Sequence, residues 1–122
     1  MMNEKSKELK RQYKLTRPDM GIFMIRSAAG DRAYLQATQD LKGSMNGALA
    51  RLNSGMHPWR ELQEAWKKLG ADSFAVEVLE RLPYDEKDEM KTDYSEELTL
   101  LEMLWTDRLE AEGVRLYKKR LT

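Results

Sequence analysis

The sequence of 122 residues contains no cysteine and a single histidine, His57. The lack of thiols excludes a disulfide scaffold, a cysteine nucleophile and a thiolate metal site. One imidazole excludes any site that needs two histidines. Apolar runs are only a few residues long, so no segment is expected to span a bilayer, and residues 1–7 lack the apolar core of a signal peptide. We therefore expect a soluble cytoplasmic protein without membrane contact.

The chain also has no net charge, because 21 basic side chains balance 21 acidic ones. Their placement is uneven: residues 1–17 carry six basic and two acidic side chains, whereas residues 84–112 carry three basic and eleven acidic ones. Such blocks are usually solvated helix faces or tails. The functional alternative is that the basic chain ends contact a phosphate backbone. The candidate nucleic-acid-binding side chains are Lys7, Lys10, Arg11, Lys14, Arg17, Lys118 and Lys119.

Hydrophobic periodicity predicts elements in the order α-β-β-α-α-β-α. The predicted helices cover residues 4–16, 40–53, 58–69 and 93–111, and the predicted strands cover residues 20–26, 33–37 and 73–79. Residues 114–117 form either a short last strand or a tail. This order indicates an α/β fold of the α+β kind, with a small three-stranded, mainly antiparallel sheet flanked by helices. An extra basic N-terminal helix (residues 1–18) would precede the domain at residues 19–122.

Helical spacing assigns most large apolar side chains to the core. The predicted stripes are Trp59, Leu62, Trp66 and Leu69 on one helix, and Leu98, Leu101, Trp105 and Leu109, broadened by Leu100 and Leu104, on another. The helix at residues 4–16 has only a thin stripe, formed by Leu9 and Tyr13. That helix therefore needs a partner surface.

A series of short motifs follows the predicted elements. The hairpin carries Gly21-Ile22-Phe23 and then Tyr34-Leu35-Gln36, and the downstream motifs are Gly55-Met56-His57-Pro58, Leu62-Gln63-Glu64-Ala65-Trp66, Gly70-Ala71-Asp72-Ser73-Phe74 and Glu102-Met103-Leu104-Trp105. Over about residues 19–110 this series resembles the GIY-YIG nuclease family. The family takes its name from paired tripeptides on neighbouring strands.

The resemblance implies hydrolysis of phosphodiester bonds in DNA with one divalent cation, Mg²⁺ or Mn²⁺. In the family, tyrosines of both tripeptides help to activate water, an arginine on the first helix steadies the phosphate charge, and a glutamate holds the metal. The chemistry is coherent, because a hard cation prefers carboxylate oxygen and acidifies bound water. A fixed guanidinium also matches the charge that develops on the phosphate.

When the family motif is carried over by position, two catalytic residues are kept and three other motif positions are altered. Tyr34 keeps the second tyrosine, and Glu102 keeps the metal-binding glutamate. Phe23 stands at the first tyrosine, Gln36 at the glycine of the second tripeptide and Ser44 at the helix arginine. Phenylalanine has no oxygen with which to accept a proton or orient water.

Two further residues could complete a rearranged site. Arg51 lies two turns after Ser44 and close to the same helix face, so it is a candidate for the missing cation. His57 is a candidate general base, although a histidine before a helix more often orders the turn. We list both as catalytic candidates beside Tyr34 and Glu102.

Three functions therefore compete. The first is a GIY-YIG-like domain with a degraded site that serves as a nucleic-acid-binding or structural module and needs no cofactor. The second is an active endonuclease with a rearranged site that uses Mg²⁺ or Mn²⁺. The third is a protein-interaction domain, favoured by the acidic block and the neutral total charge. DNA, a second copy of the chain and an unknown protein remain open as partners.

Overall fold

The computed structural model describes residues 17–118. The helix predicted over residues 4–16 lies outside this range, as do Lys7, Lys10, Arg11, Lys14 and Lys119 among the nucleic-acid candidates. The strands are β1 (Met20–Ser27), β2 (Arg32–Thr38), β3 (Phe74–Leu82) and β4 (Arg115–Leu116). The helices are α1 (Leu41–Ser54), α2 (Arg60–Leu69) and α3 (Ser95–Ala111), with a 3₁₀ turn at Ala71–Ser73. No helix among these is long and apolar enough to cross a membrane.

The sheet has the strand order β3-β1-β2-β4, and β1 runs antiparallel to both of its neighbours. The α+β class is thus confirmed, but the expected strand count was wrong. The fourth strand, β4, is only two residues long and pairs in parallel with the start of β2. A pair of residues is too short to show a period of two, so periodicity could not decide between strand and tail.

Strand register divides the side chains between two layers, because alternate residues face opposite sides of a sheet. Opposite Tyr34 on β2 lies Ile25, and opposite Gln36 lies Phe23. The face that carries these residues packs against α1 and α2. The other face, with Ile22 and the apolar residues beside it, packs against α3. The predicted helices therefore cover both sides of β1.

The ends of α1 follow their sequence signals. The Asp40 side chain accepts a hydrogen bond from the backbone N–H of Gly43 at 3.0 Å and so caps the helix N-terminus, as aspartate commonly does. Gly55 ends the helix in the left-handed conformation, with φ of 81°. The predicted start of α2 was wrong, because the helix begins at Arg60 and not around Pro58. His57 Nδ1 accepts a hydrogen bond from the backbone N–H of Trp59, so a turn occupies these residues.

Part of the predicted core was also wrong. The outer residues Leu69, Leu100 and Leu104 are exposed, whereas Leu62, Leu98, Leu101 and Leu109 are buried as expected. On α3, positions 100 and 104 point about 200° and 240° around the helix from Leu98. A sheet covers only one face of such a helix, so a stripe this broad cannot be buried by it.

Candidate functional site

The candidate site is centred on Tyr34, a buried residue of β2. Its hydroxyl donates a hydrogen bond to Gln36 Oε1 at 2.8 Å. Its ring meets three aromatic rings edge-on, with centroids at 6.2 Å for Phe23, 5.2 Å for His57 and 5.3 Å for Trp59. Edge-to-face packing of this kind fixes ring orientation. The tyrosine is therefore held at both its ring and its hydroxyl.

The charges of two more predicted residues, Glu102 and Arg51, affect the pKa of Tyr34. Burial first, and the Glu102 carboxylate second, raise the pKa of Tyr34 to about 12, against a smaller lowering by the Arg51 guanidinium. At neutral pH the hydroxyl is therefore protonated and acts as a donor. The His57 ring contacts the Tyr34 ring, whereas Arg51 on α1 and Glu102 on α3 act on the Tyr34 hydroxyl through their charges.

His57 is buried in the loop between α1 and α2. Its Nδ1 accepts a hydrogen bond from the backbone N–H of Trp59 at 3.1 Å, so the neutral ring carries its proton on Nε2. Burial first, and the Arg51 guanidinium second, lower the pKa of His57 below 6.5. Neutral imidazole is therefore the form present at physiological pH. Its Nδ1 orders the turn before α2 and is not free to accept another proton.

Sequence reasoning assigned no role to Gln63, which is buried on α2 and anchors this loop. Its Oε1 accepts a hydrogen bond from the backbone N–H of His57 at 2.9 Å. Its Nε2 donates to the backbone carbonyl of Leu52 at 3.0 Å. One amide therefore joins the end of α1 to the loop that carries His57. The sequence signal for this role was a polar residue placed directly beside the apolar stripe formed by Leu62 and Trp66.

Replacing Gln63 with Leu is expected to lower the free energy of unfolding by about 1–3 kcal/mol, because the buried backbone N–H of His57 loses its acceptor, whereas the Leu52 carbonyl keeps the N–H of Gly55. Urea unfolding followed by tryptophan fluorescence measures the change. The matched control is Glu64→Leu, at the exposed neighbouring position, where a change within about 0.5 kcal/mol is expected. Equal midpoints for the two variants would contradict the anchoring role.

Glu102 lies on α3 and is half-buried, and this burial raises the pKa of its carboxyl. It lines a depression of about 290 Å³ together with Thr99, Met103, Thr106 and Asp107. No cluster of three or more His, Asp or Glu that could hold a metal occurs within residues 17–118. The carboxylates of Glu102 and Asp107, flanked by threonine hydroxyls, are oxygen ligands of the kind that Mg²⁺ and Mn²⁺ prefer, and Mg²⁺ keeps several waters. Glu102 would be the protein ligand.

Two positions at which the chain departs from the nuclease motif, Phe23 and Ser44, carry uncharged side chains within the protein. Phe23 is fully buried, so only a hydrocarbon ring lies where the family has a hydroxyl. The Ser44 hydroxyl shares a hydrogen bond with the Thr38 hydroxyl and bears no charge. Arg51 is an exposed side chain in the last turn of α1. It is the cation whose charge acts on both Tyr34 and His57.

Two of the nucleic-acid candidates, Arg17 and Lys118, lie within the described range. The Arg17 guanidinium lies 3.9 Å from the centroid of the Tyr84 ring. It borders a cleft of about 460 Å³ that also includes Lys42 and Arg81. None of the residues around Tyr34 lines that cleft, so Arg17 does not join the site. Lys118 is exposed after β4.

The fold is similar to two solved structures. One is the catalytic domain of the homing endonuclease I-TevI, with a TM-score of 0.62, 20% identity, and coverage of 80% of this chain and 96% of that chain. The other is a single-residue variant of the catalytic domain of the intron endonuclease I-TevI, with a TM-score of 0.56, 21% identity, and coverage of 80% and 90%. No family model and no curated protein matches the sequence. The chain thus has the GIY-YIG-like fold that its paired tripeptides predicted.

Proposed function

We propose that this chain is a GIY-YIG-like domain that binds nucleic acid and has little or no nuclease activity. The observation that carries the proposal is the state of Tyr34. Its hydroxyl is the remaining tripeptide hydroxyl, and it is protonated and donates to Gln36. A tyrosine that activates water as a base must first give up its own proton. Here the hydroxyl keeps that proton and donates it to Gln36.

The missing groups support the same conclusion. Phe23 offers no oxygen, and Ser44 offers no positive charge at the place where the family fixes a phosphate. Removing one preorganised transition-state contact typically costs on the order of a hundredfold or more in rate. Removing a general base costs roughly another 10²–10⁴-fold. Together these losses leave little rate enhancement.

Nucleic-acid binding makes smaller demands than hydrolysis. Arg51 places an exposed positive charge beside Tyr34, and the basic chain ends add further lysines and arginines. The similar structures are of endonuclease catalytic domains, which makes DNA the first partner to test. Because the chain has no net charge, we expect weak binding that falls steeply as salt rises.

A second candidate function is an active, metal-dependent endonuclease with a rearranged site. The observation in its favour is that the charge of Arg51 acts on both Tyr34 and His57. An exposed arginine is long enough to turn towards a bound phosphate and to stabilise it bidentately. Glu102 would then hold Mg²⁺ or Mn²⁺, which supplies charge stabilisation and acidifies bound water.

One experiment separates these functions. Purified protein is incubated with supercoiled plasmid and Mg²⁺ or Mn²⁺, and binding to a labelled DNA duplex is measured at several salt concentrations. We expect no nicking above background and a DNA complex that weakens as salt rises. Nicking that disappears in Glu102→Ala, but persists in the control Glu110→Ala on the same helix, would establish the second candidate. The absence of any DNA complex would favour the protein-interaction alternative.

A further inference from the structure

The outer face of α3 carries an apolar patch formed by Leu100, Met103 and Leu104. Their exposed fractions are 60%, 58% and 67%. Residues three and four apart lie side by side on a helix, so these three make one continuous surface. Contiguous exposed apolar surface of this kind commonly marks an interaction site. We call these three residues the α3 patch.

Acidic side chains outnumber the single basic neighbour, Arg108, around the α3 patch. Glu96, Asp107 and Glu110 are exposed on the same helix. Two antiparallel copies of this face would bring carboxylates against carboxylates, which disfavours self-association. The surface instead suits an amphipathic segment with a basic flank. Such a segment would cover the apolar side chains and place positive charge beside the acids.

The chain itself contains a segment with these properties. The helix predicted over residues 4–16 has a thin apolar stripe, Leu9 and Tyr13, and residues 1–17 carry a net charge of +4. We propose that this N-terminal segment binds the α3 patch of its own chain. The stripe gains the partner surface that it lacks, and the α3 patch is removed from water. Burial of both surfaces and charge complementarity act in the same direction.

The described residues place the start of this segment next to α3. Tyr84 donates a hydrogen bond from its hydroxyl to the Pro18 carbonyl at 2.6 Å, and its ring lies under the Arg17 guanidinium. The Tyr84 ring also contacts the Tyr94 ring, with a centroid distance of 5.4 Å. Tyr94 is the residue that precedes α3. Residue 17 is therefore held close to the N-terminal end of α3.

The distance of Leu9 from Arg17 also matches the distance of the α3 patch from the start of α3. A helix rises about 1.5 Å per residue, so in a helical segment Leu9 would lie about 12 Å from Arg17. By the same measure, Leu100 and Leu104 lie about 9 Å and 15 Å along α3 from Tyr94. Leu9 would therefore fall between them if the segment ran antiparallel to α3. That arrangement also opposes the two helix dipoles favourably.

The absence of cysteine makes the proposal directly testable in the full chain. We would prepare Leu9→Cys with Leu104→Cys and treat the dilute protein with a short bifunctional maleimide. The proposal predicts that most molecules acquire an intramolecular crosslink and migrate as compact monomers on a denaturing gel. The control is Leu9→Cys with Lys68→Cys, an exposed position on α2, which packs on the opposite face of the sheet. We expect at least tenfold slower crosslinking in the control.

Charge reversal provides a second measurement. In a chain whose only thiol is Leu104→Cys, substituting Lys10→Glu, Arg11→Glu and Lys14→Glu should release the segment and raise the rate of maleimide labelling several-fold. High salt should have the same effect. Equal crosslinking of the two cysteine pairs, or an unchanged labelling rate, would overturn the proposal. Covalent dimers as the main product would overturn it in favour of a second copy of the chain.

Discussion

Introducing the family residues at three altered positions, by Phe23→Tyr, Gln36→Gly and Ser44→Arg together, is expected to raise metal-dependent plasmid nicking by roughly 10²–10⁴-fold. Phe23 lies opposite Gln36 on the paired strand, and its ring centroid is 6.2 Å from that of Tyr34. A hydroxyl added there would join Tyr34 on one face of the sheet. The Gln36 substitution frees the Tyr34 hydroxyl, and Ser44→Arg restores a cation on α1.

The same substitutions made singly test how much each position contributes to nicking. Gln36→Gly alone removes the acceptor of the Tyr34 hydrogen bond, and it should leave nicking near background because the cation and the second hydroxyl remain absent. Adding Glu102→Ala to the triple variant should abolish the gained activity. A triple variant that folds and binds DNA but does not nick it would show that these three positions do not account for the loss.

Gly21→Ala is expected to cost about 3 kcal/mol or more in the free energy of unfolding, because it forces the backbone apart at a tight contact. A Cβ atom at residue 21 would lie 2.0 Å from the carbonyl oxygen of Glu80 and 2.8 Å from the Cα of Arg81. Both are backbone atoms of β3, next to the register shift between Ile22 and Phe23. Neither can move without breaking strand pairing.

Urea unfolding of Gly21→Ala, compared with Gly47→Ala, tests this prediction. Gly47 lies within α1, and an added Cβ there would meet no atom within 4 Å. Alanine favours a helix interior, so the control should gain up to about 1 kcal/mol in stability. If Gly21→Ala were as stable as the parent, β1 and β3 would have to separate freely at this point. The glycine of the first tripeptide therefore has a structural role that is independent of catalysis.

Local sequence signals predicted most of the elements. The hairpin, the cap at Asp40 and the end of α1 at Gly55 follow from residue chemistry within a few positions. The pairing of β4 with β2 could not be predicted in this way, because it joins residues about 80 positions apart. The exposure of Leu100 and Leu104 also depends on how much surface the sheet offers, which periodicity does not report.

The sequence predicts positions for the candidate site but not the interactions among them. The family resemblance proposes Tyr34 from the second tripeptide and Glu102 from the motif on the last helix. It could not show that Gln36 accepts a hydrogen bond from Tyr34, because that contact depends on two side chains of one strand pointing the same way. Nor could it show that Gln63 joins α1 to the His57 loop. Both contacts arise from side-chain direction, which spacing alone leaves undetermined.

The short strand β4 has a consequence for synthesis on the ribosome. Its residues pair with Arg32 and Ala33, and the neighbouring Val114 and Tyr117 fill places in the two main core clusters. At roughly 5–20 residues per second, β2 emerges several seconds before β4 is translated. During that interval the outer edge of the hairpin has no neighbouring strand and both clusters lack a side chain. The nascent chain therefore passes through a stage with an open strand edge, which is a site for association with other chains.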